Sequence, residues 1–179
     1  MADNRTELYW AAFQNRIDEI RELLASGVNV NEPSGNGRIA LHMVAYSDGE
    51  AAKMLLEAGT KINIEDERGI SPLLYAARCG LKDSVTLKML LAAGADITQK
   101  MIHTLKSEGW SDIPAYLQSI LDGTTSRPTP EEVGLDMAKR NAALAKLAQA
   151  PTPKPVLGKY TNAAEHQRQA ALDDPEQGI

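Results

Sequence analysis

Asp66-Glu-Arg-Gly-Ile-Ser-Pro-Leu-Leu-Tyr-Ala-Ala-Arg-Cys-Gly-Leu81, then the run Lys82 to Leu91, then Ala-Ala-Gly-Ala-Asp-Ile-Thr98, is the stretch from which the fold is read. Gly69 and Gly94 suit positions of positive φ that a side chain would strain. Ser71 can cap a helix with its hydroxyl, and Pro72 can open that helix at its first position, where no amide hydrogen is needed. Ala76 and Ala77 are small enough to let a neighbouring helix pair come close. A turn, a capped helix, a small-residue face and a leucine-rich helix thus follow one another within 33 residues.

In this register the stretch resembles one ankyrin repeat, of pattern D-x-x-G-x-T-P-L-H-x-A-A-x-x-G, a leucine-rich helix, then G-A-D. Asp66, Gly69, Ser71, Pro72, Leu73, Ala76, Ala77, Gly80, Leu90, Leu91, Gly94, Ala95 and Asp96 all fall on it. Upstream, Thr6-Glu-Leu8-Tyr-Trp-Ala11-Ala12-Phe-Gln-Asn15 matches the first-helix motif, with Asn15 at the usual Gly. Asn tolerates the left-handed conformation better than other non-Gly residues. Ile17, Ile20, Leu23 and Leu24 then recur at helical spacing up to Gly27. Between these lies a second repeat, in which Ile39-Ala40 stands for Thr-Pro and weakens the helix start. Gly27 to Leu41 and Gly59 to Leu73 both span 14 residues, but Gly94 to Ile102 spans 8, so the fourth repeat lacks its hairpin.

The fold expected from the resemblance is all-α with short hairpin loops: an ankyrin-repeat solenoid followed by a Pro-interrupted helical tail. Its repeats are placed at about 5–33, 34–65 and 66–98, with a truncated C-terminal cap at 99–121. Length changes at the start of the second helix in repeats two and three predict irregular loops there. In the tail, 122–179, six of nine prolines lie between 128 and 175. Thr129-Pro130-Glu131-Glu132 reads as a capping box opening a helix over about 130–150. Its apolar stripe is narrow, so it is expected to dock on its own domain or on a partner, with disorder beyond Pro151.

Composition excludes several functions. The 19 basic and 24 acidic residues give a net charge of −5, with no nucleic-acid footprint. One Cys excludes an internal disulfide. No apolar run approaches a membrane span, and the N-terminus has no secretory pattern, so a cytoplasmic location is expected. No cofactor or metal is expected, because no two-His cluster, HExxH or phosphate-loop frame occurs. His42 occupies the motif His, which the resemblance implies ties the helix start to the hairpin backbone. His103 stands at the equivalent place in the truncated repeat, and His166 reads as solvated. Cys79 lies beside Arg78 with no His nearby and reads as inert. Tyr9 reads as structural, and Trp10 and Trp110 as covers for the core ends. The chain is expected not to be an enzyme.

Binding has candidates. The resemblance implies that hairpin tips and the first-helix edge share a concave surface. At the tips lie Gly35, Asn36 and Arg38, then Glu67, Arg68 and Ile70; at the helix edge lie Phe13-Gln14, Tyr46-Ser47 and Arg78-Cys79. Phe13, Tyr46 and Arg78 share one slot in successive repeats, and large aromatic and Arg side chains at positions the fold leaves unspecified resemble binding hot spots. The implied role is that of a monomeric protein-binding adaptor on the concave groove, with a second contact through the tail helix. The alternative is a dedicated inhibitor or immunity-type protein that occludes the active site of a toxin or enzyme.

Overall fold

The computed structural model describes residues 6–46, 49–79 and 84–149, the side chain of Tyr46 excepted. Helices come in consecutive pairs: α1 (Glu7–Phe13) with α2 (Ile17–Ala25), α3 (Ala40–Met43) with α4 (Glu50–Glu57), α5 (Pro72–Ala77) with α6 (Val85–Ala92), and α7 (Gln99–Ser107) with α8 (Asp112–Leu121). The first helices α1, α3 and α5 pack side by side, the second helices α2, α4 and α6 form the layer behind them, and α7 with α8 closes the end. Among the described residues there is no strand.

Local chemistry places each start. Thr6 Oγ1 accepts from the Tyr9 amide at 3.1 Å, and Ser71 Oγ accepts from the Leu74 amide at 3.3 Å. Ile39 offers no such oxygen, and α3 runs only from Ala40 to Met43 before tightening into a 3-10 turn, Val44–Tyr46. Asn15 holds φ +53°, the left-handed conformation expected of it. The four motif-Leu positions, Leu8, Leu41, Leu73 and Ile102, are at most 3% exposed, so one register holds through the truncated repeat. Leu56 and Leu91 are buried at equivalent places on the second helices, and Leu24 is partly buried against the same core. The loops expected to be irregular, around 47–48 and 80–83, lie outside the described residues, as does the chain from 150 onward.

The helix expected over about 130–150 is shorter. The capping box forms: the Thr129 amide donates to Glu132 Oε2 at 2.7 Å, and the Glu132 amide to Thr129 Oγ1 at 3.3 Å. It closes a single turn that ends at Gly134 (φ +65°), because two carbonyls are taken at once by the Gly134 and Leu135 amides. Asp136 then caps a separate helix, α9 (Met137–Gln149), through the Lys139 amide. From the end of α8 the chain doubles back along the second-helix layer and lays α9 against α4. The approach is close: a Cβ on Gly59 would meet the Leu144 amide nitrogen and a Leu147 methyl at 3.1 Å.

Two arginines fasten this strap. Arg127 Nη1 donates to the carbonyls of Leu91 and Ala95 at 3.1 and 2.9 Å. Arg140 donates to the carbonyls of Leu56 and Thr60 at 2.5 and 2.9 Å. Leu56 and Thr60 are the register equivalents of Leu91 and Ala95, so the strap makes one contact twice, at the C-terminal ends of α4 and α6. Helix C-termini present unpaired carbonyls and partial negative charge, which a guanidinium satisfies. Glu57, also buried, accepts from the Asp136 amide at 3.3 Å and Lys139 Nζ at 2.7 Å.

Candidate functional site

Two hairpin fingers, 34–38 and 66–70, stand at the edge of the first-helix layer. Each closes on itself: the Ser34 amide bonds the Arg38 carbonyl at 2.7 Å, and the Asp66 amide bonds the Ile70 carbonyl at 3.0 Å. The fingers are then cross-linked. The Glu67 amide donates to the Asn36 carbonyl at 3.2 Å. Asp66 accepts from the Arg68 and Ile70 amides, from the Tyr75 hydroxyl at 3.0 Å and from Arg38 Nε at 3.2 Å. Burial pushes the Asp66 carboxyl up, but the Ile70 amide, Arg38, Tyr75 and the Arg68 amide together hold it below the usual range.

His42 is the second tie. Its Nδ1 accepts from the Ile39 amide at 3.1 Å, so Nε2 carries the proton and donates to the Ile70 carbonyl at 3.2 Å. The ring is fully buried and meets Tyr75 edge-on. Burial holds its pKa below the ordinary histidine value. The structural role expected of His42 holds. That of His103 does not: it is exposed on α7. Its register is kept, but Thr98 caps α7 directly through the Met101 amide, and no following finger offers a carbonyl like that of Ile70.

The remaining site candidates divide. Phe13 is 60% exposed, resting edge-on against Trp10, and Gln14, Gly35, Glu67 and Arg68 are exposed. Asn36 is exposed but accepts from Ser34 Oγ and the Arg38 amide, which closes its own finger, and Arg38 lies over the Tyr75 ring while bonding Asp66, which holds the two fingers together. Arg78 is half-buried and engages both carboxylate oxygens of Glu108, which lowers the Glu108 pKa. Ser47 and the Tyr46 side chain lie outside the described residues. Arg68, Ile70 and Arg78 are brought together on one cleft of about 240 Å³, shared with Leu74, Lys100 and Met101; Phe13 is not among its lining residues.

Burial raises the Cys79 thiol pKa, and Sγ donates to the Ala45 carbonyl at 3.3 Å, as suits an unreactive thiol. Tyr9 is buried, Trp10 partly so, and Trp110 is 36% exposed at the last helix pair. Among the described residues no group of three or more His, Cys, Asp or Glu gathers as a metal would need, and no helix is long and apolar enough to cross a membrane. Sequence reasoning missed Lys100, Leu74 and Met101 in the cleft; the signal was the 8-residue spacing from Gly94 to Ile102, with Leu74 standing where the second repeat has His42.

A family model of three ankyrin repeats matches residues 3–101. The chain belongs to the ankyrin-repeat family. Human cyclin-dependent kinase inhibitor 2A is similar, with 32% identity over 121 residues covering 64% of this chain and 76% of that protein. Human neurogenic locus notch homolog protein 4 is 38% identical over 93 residues, which cover 51% of this chain but 4% of that protein. The chain likewise spans 5% of the E3 ubiquitin-protein ligase KEG of Arabidopsis thaliana, at 36% identity over 74 residues or 41% of this chain. Among solved structures, the ankyrin repeat domain of human ASB11 superposes with a TM-score of 0.56 at 28% identity, covering 81% of this chain and 69% of that one. Ankyrin repeats are in general protein–protein interaction modules and typically non-catalytic scaffolds, and protein binding is the coarse role this membership supports.

Proposed function

We propose that this ankyrin stack is a monomeric, cytoplasmic, non-catalytic adaptor that receives a protein partner on its concave face and a second one on the outward side of α9. One observation carries the reading. Exposed Phe13, Glu67 and Arg68 stand on a platform whose fingers are fixed by Asp66 and His42, so a partner would meet large side chains already held in place. In α9, Arg140 and Leu147 face the stack, while Ala138, Asn141 and Ala145 form an exposed stripe at helical spacing.

In a binding assay with the partner isolated from the native cell, Phe13→Ala with Glu67→Ala is expected to weaken association by on the order of 2 kcal/mol. The melting temperature should stay nearly unchanged; equal losses in both would make the two residues structural. Ala138→Arg with Ala145→Arg should release only the second partner. The likeness to cyclin-dependent kinase inhibitor 2A, 76% of which this chain covers, favours a second reading as a dedicated inhibitor. An inhibitor would hold a single partner and silence its activity, and the α9 substitutions would then change nothing.

A further inference from the structure

The first finger of this stack is held by the one that follows it. Finger 34–38 is answered by the Glu67 amide at the Asn36 carbonyl, and His42 below it is answered by the Ile70 carbonyl. Finger 66–70 has no successor. The side chains of Asn31 and Asn63 accept from the Lys61 and Asp96 amides, forming a ladder from loop to loop; at the next equivalent position stands Thr98, which caps α7 directly. The chain therefore passes from Asp96 into a helix where a third finger would have stood.

What remains in its place is the cleft of about 240 Å³. The register equivalents of Asn36 and His42 here are Arg68 and Leu74, and both line it. Its apolar surface is Ile70, Leu74 and Met101. The cations Arg68 and Lys100 and the carboxylate of Glu65, which lines the cleft with them, are exposed and in no ion pair among the described residues, an excess of one positive charge, whereas Asp96 is held by Asn63 and Arg78 by Glu108. Over residues 127–149 the chain is led elsewhere: Arg127 and Arg140 hold it on the second-helix ends, and α9 runs beside Leu24 and Ala25 of α2.

We propose that a protein partner supplies the missing finger. An extended segment lies along finger 66–70, a backbone amide of the partner meeting the Arg68 carbonyl as Glu67 meets Asn36. An apolar side chain rests on Leu74 and Met101, and a neighbouring carboxylate sits between Arg68 and Lys100. This occupant rests on the concave-face reading and narrows it to one peptide chemistry, extended and acidic–apolar, recognised by edge pairing plus a side-chain pocket.

The test is selection of a phage-displayed random nonapeptide library on the full chain. Selected peptides are expected to share an Asp or Glu beside an apolar residue. Synthetic copies should lose about tenfold or more in affinity against Arg68→Glu/Lys100→Glu, substitutions at exposed positions, and none against Arg21→Glu/Lys146→Glu on the outer face. Replacing the peptide's acid by Lys should restore binding to the Arg68→Glu/Lys100→Glu protein, which a merely structural effect would not allow. No enrichment, no acidic–apolar preference or indifference to the charge reversal would overturn the assignment. So would a dimer, seen by sedimentation, that the reversal dissociates, since the occupant would then be a second copy. Peptides lost with Phe13→Ala but kept by the charge-reversed protein would leave the concave-face reading standing and remove this one.

Discussion

Two junctions in this molecule do the same task with different means. Between the second and third repeats, the fingers are joined by the buried Asp66 carboxylate, which takes Arg38 and Tyr75, by the buried His42, which meets the Ile70 carbonyl, and by the backbone bond from Glu67 to Asn36. Between the third and fourth, where the finger is deleted, the corresponding side-chain tie among the described residues is the half-exposed Arg78–Glu108 pair, beside an open cleft. The first junction is closed on itself. The second is stable enough to hold its helices yet leaves groups for another molecule.

The largest effect that would break this contrast is at Asp66. Asp66→Ala removes the acceptor of Arg38, the Tyr75 hydroxyl and two amides, and should cost roughly 3–5 kcal/mol in chemical denaturation, the range for breaking a buried pair. A loss under about 1 kcal/mol would put the two junctions on a par. Leu73→Ala opens a cavity between them at a residue only 1% exposed, and roughly 2–5 kcal/mol should be lost. On the outer layer, Arg140→Met leaves two helix-end carbonyls without their cation and should cost roughly 1.5–3 kcal/mol, with faster amide exchange in α9.

Acid should find the closed junction first. His42 is held below its ordinary value of 6.5, so the unfolded chain takes up its proton before the folded one. Its share of stability is complete above 6.5 and is lost as pH falls from there through the folded value. Asp66 is held below 3.8, and its share goes later, as pH falls from 3.8 through its own folded value. In thermal melts, His42→Leu should lower stability at neutral pH yet abolish the earlier decline. The smallest effect belongs to the open junction: Arg78→Ala, in a pair whose side chains are 27% and 33% exposed, should cost about 0–1 kcal/mol.

Much of the fold was legible because it is written locally. Thr6, Ser71 and Asn15 perform where they stand, and the buried Leu8, Leu41, Leu73 and Ile102 follow from spacing. The candidate surface was less so. Asn36, Arg38 and Arg78 occupy the positions read as recognition sites, yet the Asn36 side chain closes its own finger and those of Arg38 and Arg78 hold the next repeat. Thr129 and Glu132 formed their capping box and still did not start α9, since Gly134 ends the turn five residues after Thr129.

By itself the sequence determined the period, the turns, the capped helix starts and the deletion of the last finger, since each depends on a few residues adjacent in the chain. Only the tertiary structure decided what the long cationic side chains do. Arg38, Arg78, Arg127 and Arg140 reach partners 28, 30, 32 and 80 residues away. A flexible guanidinium takes whichever carbonyl or carboxylate the packing brings within reach, and no local pattern records which one that is.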